Sequence, residues 1–270
     1  MVVQHNLTAM NSNRMLGLTQ STISKSTEKL SSGYRVNRAA DDAAGLAISE
    51  KMRRQVRGLT QAATNAQDGI SCVQTAEGAL NEVHDMLQRM NELANQAANG
   101  TNTDTDRSYI QQEVGNLLTE IDRVKDTTTF NEKNLLNGSF KNVNLQVGAE
   151  KGNTISLTIG SLGVKGLGIS GLSVATASKA GLAISAIKGA ITTLNQNRAN
   201  LGAVQNRLEH TINNLNNVVE NTQAAESKIR DTDMAAEMVK YSNANILAQA
   251  GQSMLAQANQ SNQGVLSLLG

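Results

Sequence analysis

The sequence contains no proline and no tryptophan, and aromatic residues make up only 2% of its 270 positions. Proline breaks the interior of helices, so its absence permits long uninterrupted helices. Aromatic side chains usually dominate burial in a thick globular core, so their scarcity favours thin bundles packed through aliphatic side chains. The only cysteine is Cys72. It excludes an internal disulfide and is expected to be a small packed residue.

Features that mark several common functional classes are also missing. The net charge is +1, without a long run of either sign, which removes the electrostatic basis for binding nucleic acid. No run of eighteen apolar residues occurs, so no membrane span is expected. The N-terminal residues lack a basic region followed by an apolar block, so a conventional signal peptide is not expected either.

The titratable residues form no recognisable catalytic or metal-binding constellation. His5, His84 and His210 lie on three separate segments without the spacing of metal ligands. Neither a phosphate-binding loop nor a nucleophile elbow occurs. The adjacent Asp41 and Asp42 are explained by helix capping rather than by acid–base chemistry. We therefore expect a protein that is not an enzyme and needs no metal and no cofactor.

What the sequence does contain is a long seven-residue repeat of apolar or small residues between Leu59 and Ala97. Because seven residues are close to two helical turns, both rows of the repeat fall on one face of a single helix. At about 1.5 Å per residue this helix would be roughly 60 Å long, so it needs long partners. The two rows are Leu59, Ala66, Val73, Leu80, Leu87 and Ala94, and Ala62, Gly69, Ala76, Val83, Met90 and Ala97.

Two later segments carry the same seven-residue repeat and supply those partner helices. After a turn at 99–104, a helix is predicted over 105–127, and the short loop predicts that it returns antiparallel to the first. A second very long helix is predicted from about 177 to 229, up to about 75 Å if it is unbroken. The core rows are Ile110, Leu117, Val124, Val114 and Ile121 in the shorter helix and Ile187, Leu194, Leu201, Leu208 and Leu215 in the longer one.

Helical segments at both ends carry apolar stripes that are too narrow to stabilise a lone helix. They are predicted over 6–31 and 234–262, and we expect the two ends to meet. Segments of this kind commonly order on association, and heterologous repetition of such a subunit gives an open helical filament. The assembly residues are Leu16, Ile23 and Leu30 in the first segment and Met238, Tyr241, Leu247 and Met254 in the last.

Two shorter stretches complete the prediction. A helix is expected to start at Asp41 and Asp42 and to run to Arg57, with Gly58 allowing a kink or a short break before the long helix. Alternating apolar residues at 143–147 and 155–159 predict a β-hairpin, and the glycine-rich stretch at 160–171 predicts turns. The fold class is therefore mainly α: a long-helix coiled-coil bundle with a small β-hairpin region and paired terminal helices.

Four stretches resemble the signatures of bacterial flagellin. They are LSSGYRVNRAADDAAGLAI at 30–48, NLGAVQNRL at 200–208, IRDTDMAAE at 229–237 and TFNEKNLLNG at 129–138. In the last of these, Glu132 stands where the family usually has glycine. The resemblance covers essentially the whole chain, and larger flagellins insert outer domains between the two halves. This chain therefore resembles a minimal flagellin that lacks outer variable domains.

The resemblance implies a structural subunit that polymerises into the bacterial flagellar filament for motility. Residues 1–40 and 232–270 would form inner-tube helices that pair into an inner coiled coil. Residues 41–231 would form the core bundle, with the β-hairpin region at about 139–175. The protein would be secreted without a cleaved signal and would reside in the extracellular flagellum.

The resemblance also implies a set of protein partners. These are further copies of the chain in a helical homopolymer, a cytoplasmic export chaperone that holds about 234–270, the export apparatus, the filament cap and the hook-associated proteins. A Toll-like receptor of vertebrate hosts would contact Arg89, Leu93 and Glu113. The alternative is that Arg89 and Glu113 serve subunit packing. The tail formed by Val265, Leu266, Leu268 and Leu269 resembles the segment sensed by intracellular innate receptors.

Two other functions compete with a filament subunit. A flagellar hook–filament junction protein shares the terminal helices, but the matches at 41–46 and 200–208 favour flagellin. The cytoplasmic bundle of a signalling receptor would also be a long coiled coil. That function predicts a membrane anchor or a fused domain, and neither is visible in the sequence.

Overall fold

The computed structural model describes residues 6–269, except for the side chains of residues 262, 263 and 265–269. Five helices carry most of the chain, and two small antiparallel sheets lie between the third and the fourth. The elements are α1 (Leu7–Ser32), α2 (Ala43–Ala98), α3 (Asp104–Thr127), β1 (Thr129–Phe130), β2 (Lys133–Asn134), β3 (Val143–Gln146), β4 (Thr154–Leu157), α4 (Ala177–Arg230) and α5 (Met234–Leu269). The predicted fold class, mainly α with a small β-hairpin region, is confirmed.

The chain divides into two compact units. Unit 1 comprises the described residues up to Gln55 together with those from Asn221 onward, and unit 2 comprises Val56–Glu220. The core of unit 2 is built from the predicted repeats: all twelve positions of the two α2 rows are buried. The leucines and isoleucine of the α4 row, from Ile187 to Leu215, are buried as well.

In unit 2, helices α3 and α4 each run antiparallel to α2. Arg89 on α2 pairs with Glu113 on α3, and Arg107 on α3 donates to the Ala97 carbonyl oxygen, so a later position on one helix meets an earlier position on the other. On α2 and α4, Leu59 lies in one cluster with Leu215, and Glu77 Oε1 lies 3.7 Å from Arg198 Nη2, so the order of positions is reversed there as well. The predicted α2–α3 hairpin is therefore confirmed.

Polar side chains fix the ends of these helices. The Asp42 carboxylate accepts from the Gly45 N–H at 2.8 Å at the start of α2. The buried Arg107 guanidinium donates to the carbonyl oxygens of Ala97 and Asn99 at 3.0 and 3.2 Å. It thereby satisfies carbonyl groups that the end of α2 would leave without partners. At the start of α3, Thr103 and Asp106 form a capping box.

The predicted break at Gly58 is wrong, because α2 runs unbroken from Ala43 to Ala98. A Cβ atom at Gly58 would lie 3.0 Å from the Cβ atom of Ala149, which is in the loop between β3 and β4. A Cβ at Gly69 would lie 2.5 Å from Leu145 on β3. These glycines therefore permit close packing of the β-hairpin on α2.

The sequence predicts one of the two small sheets, the β3–β4 hairpin, but not the pair β1–β2, and it predicts an earlier end for α5. Strands β3 and β4 pair Val143 with Leu157 and Gln146 with Thr154, which confirms the hairpin. Helix α5 continues past the predicted end near Asn262 to Leu269, because neither Gly264 nor the polar run before it stops the helix. Within residues 6–269, no helix has the length and apolar character needed to cross a membrane.

Candidate assembly interface

The terminal helices α1 and α5 pack against each other in unit 1 and run antiparallel. Three contacts at different positions along the helices show this direction. Asn6 Nδ2 donates to the Ala258 carbonyl oxygen at 3.0 Å. The Ser26 hydroxyl donates to Glu237 Oε1 at 2.6 Å, and the Thr232 N–H donates to the Gly33 carbonyl oxygen at 2.9 Å. The prediction that the two ends of the chain meet is confirmed.

Small residues line the α5 side of this contact. Ala244 and Ala248 are buried, and a Cβ atom at Gly251 would lie 3.5 Å from Leu16 Cδ1. Of the predicted assembly residues, those that are half-buried are Leu16, Ile23, Leu30 and Tyr241. The buried apolar residues of α5 are thus alanines, and the large apolar side chains described on both helices are half-buried or exposed.

A buried polar pair interrupts the seam. Ser26 and Glu237 are 3% and 6% exposed, and the other carboxylate oxygen of Glu237 is 3.4 Å from Lys240 Nζ. The hydroxyl of Ser26 lowers the pKa of the Glu237 carboxyl, with the charge and hydrogen bond of Lys240 and the charge of Lys29 acting in the same direction. A charged carboxylate can therefore remain ionised in this seam.

Neither Ser26 nor Glu237 is among the residues that the sequence predicts for assembly. A signal was available, because Ser26 lies three residues after Ile23 and four before Leu30, where a heptad repeat expects an apolar side chain. Glu237 likewise begins a row with Ala244, Gly251 and Ala258 at seven-residue spacing. A polar residue in each weak stripe predicts a buried polar contact between them.

The junction of α4 and α5 is joined to the segment after α1 by a second group of contacts. The Arg230 guanidinium lies 4.8 Å from the centre of the Tyr34 ring and 2.6 Å from Glu50 Oε1. The Arg35 N–H donates to the Arg230 carbonyl oxygen at 2.6 Å, and Tyr34 and Asp231 form an antiparallel β-bridge. Backbone pairing of this kind fixes the register of the two chain ends.

Away from the seam, the two terminal helices present large apolar side chains to solvent. A groove of about 470 Å³ runs between them, and both helices line it with apolar residues. Three of the predicted assembly residues are among the exposed set. The exposed residues are Leu7, Met10, Met15 and Leu18 on α1 and Met234, Met238, Val239, Ile246, Leu247 and Met254 on α5.

The residues predicted to contact a host receptor lie in unit 2. Arg89 Nε donates to Glu113 Oε1 at 2.9 Å, and Arg89 Nη1 donates to Glu92 Oε2 at 3.1 Å. These two carboxylates, Glu113 first, raise the pKa of the Arg89 guanidinium. Leu93, in contrast, is 2% exposed and belongs to the hydrophobic core. Arg89 and Glu113 therefore offer a paired, partly exposed surface, while Leu93 faces inward.

The side chains of the predicted tail residues Val265, Leu266, Leu268 and Leu269 lie outside the described part of the chain. Their backbone belongs to α5. The roles of this tail and of Arg89, Leu93 and Glu113 stay predictions.

Comparison with known proteins places the chain in a family. The family model of the bacterial flagellin N-terminal helical region matches residues 3–141, and that of the bacterial flagellin C-terminal helical region matches residues 184–269. The flagellin of Halalkalibacterium halodurans is 52% identical over 271 residues and covers 100% of both chains. The flagellar filament 33 kDa core protein of Treponema phagedenis is 48% identical over 285 residues, again with 100% of both chains covered.

A solved structure supports the same assignment. The crystal structure of Bacillus cereus flagellin matches with a TM-score of 0.52 and 33% identity, over 56% of this chain and 88% of that one. The sequence signatures, both family models and the full-length relatives agree. The chain belongs to the bacterial flagellin family.

Proposed function

We propose that this chain is the structural subunit of a bacterial flagellar filament and that copies pack together through the exposed apolar faces of α1 and α5. The observation that carries this proposal is the concentration of large exposed apolar residues on these two helices. A contiguous apolar surface of this kind marks an interaction site on a soluble protein. The relative from Treponema phagedenis is named a flagellar filament core protein, which supports the same role.

The low internal burial of the α1–α5 pair supports assembly as its purpose. Half-buried Leu16 and Ile23 and exposed Leu247 and Met254 leave apolar area that a second copy would cover. A repeating heterologous contact yields a filament rather than a closed ring when the rotation between copies does not close. In this proposal residues 1–40 and 232–270 are the inner-tube helices and 41–231 the core bundle.

A charge placed on the apolar face tests the proposal. Ile246 is 64% exposed on α5, and Ile246→Glu should abolish polymerisation because each contact would bury an unpaired carboxylate. Gln249→Glu adds the same charge at an exposed polar position of the same helix and serves as the control. Sedimentation of seeded protein and electron micrographs provide the measurement. Normal filaments from Ile246→Glu would contradict the proposed interface.

Further partners belong to the same proposal. The subunit leaves the cell through a flagellar export apparatus after a chaperone has held α5, and the filament cap and hook-associated proteins contact the growing polymer. The exposed apolar residues of α5 support a need for such a chaperone before assembly. Arg89 and Glu113 contact a host Toll-like receptor, which their partial exposure permits. A hook–filament junction role is not favoured, because the full-length relatives are filament proteins.

A further inference from the structure

The exposed methionines of the described chain all lie on the two terminal helices. They are Met10 and Met15 on α1 and Met234, Met238 and Met254 on α5, with exposures between 47% and 63%. On α2, Met90 is fully buried, and Met52 and Met86 are half-buried. Accessible thioether sulfur is thus concentrated on the surface that we propose for assembly.

Two of these methionines share one site. Met15 from α1 and Met254 from α5 both line the groove of about 470 Å³. Their neighbours there are aliphatic side chains, and the polar side chains in the lining are the hydroxyls of Thr19 and Thr22. A polar group formed on either sulfur would therefore find few hydrogen-bond partners once a second copy had excluded water.

We propose that Met15 and Met254 form an oxidation-sensitive modification site and that their sulfoxides block polymerisation. The inference rests on the proposed packing of a second copy over this groove. The oxidant is a peroxide, and hydrogen peroxide is the simplest example. Its O–O bond breaks as the sulfur lone pair forms a bond to one oxygen. A proton moves to the other oxygen, which leaves as water, so the sulfur is oxidised by two electrons and the peroxide is reduced.

Oxidation changes the surface without changing the fold of unit 2. A methionine sulfoxide is polar where the thioether was apolar and adaptable, and it disrupts methionine-rich contacts. Burying the sulfoxide oxygen without a hydrogen-bond donor costs free energy each time a subunit is added. The critical concentration for polymerisation should therefore rise by about tenfold or more. The buried Met90 should stay reduced under the same treatment, because peroxide cannot reach it.

The assembled state should protect the same two residues. When a second copy covers the groove, Met15 and Met254 lose their exposure, so preformed filaments should gain far less sulfoxide there than free subunits do. The modification therefore acts on subunits before assembly and leaves existing filaments intact.

The test compares purified monomers treated with hydrogen peroxide, freed of oxidant and then seeded. Peptide mass mapping locates the sulfoxides, and sedimentation measures the polymerised fraction. The variant M15L/M254L removes the proposed site with little change of volume. The matched control M10L/M234L/M238L keeps Met15 and Met254 as the exposed methionines. Because these positions lie on the assembly face, each variant is compared with itself: the critical concentration after treatment should stay near its untreated value in M15L/M254L and should rise in the control as it does in the wild type.

Several results would overturn the inference. One is normal polymerisation of wild-type protein whose Met15 and Met254 are mapped as oxidised. Another is a M15L/M254L variant that stays as sensitive as the wild type. If M15L/M254L does not polymerise even without peroxide, the oxidised control variant provides the test. Methionine sulfoxide reductase should restore polymerisation of that control, and failure to restore it would contradict the proposed site. Untreated wild-type protein that does not polymerise contradicts the proposed function instead.

Discussion

At the scale of single residues, the cap that Asp42 provides for α2 requires a glycine at position 45. The Asp42 carboxylate reaches the Gly45 N–H because glycine has no side chain there, and a Cβ atom at Gly45 would lie 2.2 Å from Asp42 Oδ2. A glycine inside a helix costs about 1 kcal/mol relative to alanine. Here that cost is offset by a capping interaction of similar size.

This dependence predicts the effect of alanine at two glycines of α2. Gly78→Ala should stabilise the helix by about 0.5–1 kcal/mol, because a Cβ there meets nothing within 4 Å. Gly45→Ala should give no gain or a loss, because it displaces the Asp42 cap, and it should become stabilising when combined with Asp42→Ala. Amide hydrogen exchange around each site measures the difference. Equal stabilisation by both single substitutions would show that the cap contributes nothing.

A second residue-scale prediction concerns Glu132. Asn131 and Glu132 form the turn between β1 and β2 with φ angles of 45° and 64°, in the left-handed region. Such a turn favours Asn-Gly, because a side chain at the second position is strained by about 1 kcal/mol or more. Glu132→Gly should therefore raise the free energy of unfolding by about 1 kcal/mol.

Asn131→Gly is the control for this turn, because asparagine already tolerates the left-handed conformation and should gain less. Thermal or denaturant unfolding of unit 2 provides the measurement. A larger gain from Asn131→Gly than from Glu132→Gly would contradict the assignment of strain to Glu132.

At the scale of elements, the pairing of α1 with α5 should depend on pH through Glu237. Its folded pKa lies below the ordinary value of 4.5, so the carboxylate stabilises the pair fully above that value and loses its contribution as the pH falls through the folded pKa. Ser26→Ala removes the main cause of the shift and about 2 kcal/mol of hydrogen bonding to a charged group. Filaments of this variant should dissociate at a higher pH than wild-type filaments.

Glu237→Gln separates charge from geometry at the same site. The amide still accepts from the Ser26 hydroxyl but does not titrate, so the acid-induced step assigned to Glu237 should disappear. Light scattering of filaments across an acid titration follows both variants. An unchanged midpoint pH of dissociation in Ser26→Ala would show that the Ser26–Glu237 pair does not contribute to filament stability.

Periodicity predicted the elements well where two apolar rows meet a partner. The rows of α2 are buried as expected, and so is Cys72, but Ile70 and Leu93 are buried too, because a helix packed on more than one side buries a wider arc than two rows. The reason for a glycine at position 58 could not be predicted, since a Cβ atom there would meet Ala149, which lies far along the chain. Predicting the Ser26–Glu237 contact requires the register between the apolar stripes of α1 and α5. The spacing of residues within one helix does not determine that register.

At the scale of the whole chain, the two units should differ in stability. Unit 2 holds the large apolar clusters, whereas Ser26 is the buried residue of α1. Ordering a helix costs conformational entropy, and the free energy gained from so little burial is smaller than that cost. Free subunits should therefore expose both terminal helices. Limited proteolysis of the monomer should cut within 6–40 and 235–261 and spare 60–215. Polymerisation should protect the cut sites, and equal protection in the free monomer would refute the difference.

The contact between Asn6 and Ala258 joins residues 252 positions apart. Synthesis runs from the N-terminus, so α1 emerges first but must wait for the last helix before it can pair. Closing such a loop in an unfolded chain costs about 3 kcal/mol more than closing one of ten residues. Prior folding of unit 2 reduces that cost, because Leu59 and Leu215 already lie in one cluster. The order of folding therefore reverses the order of synthesis for α1, and without proline no slow isomerisation step delays it.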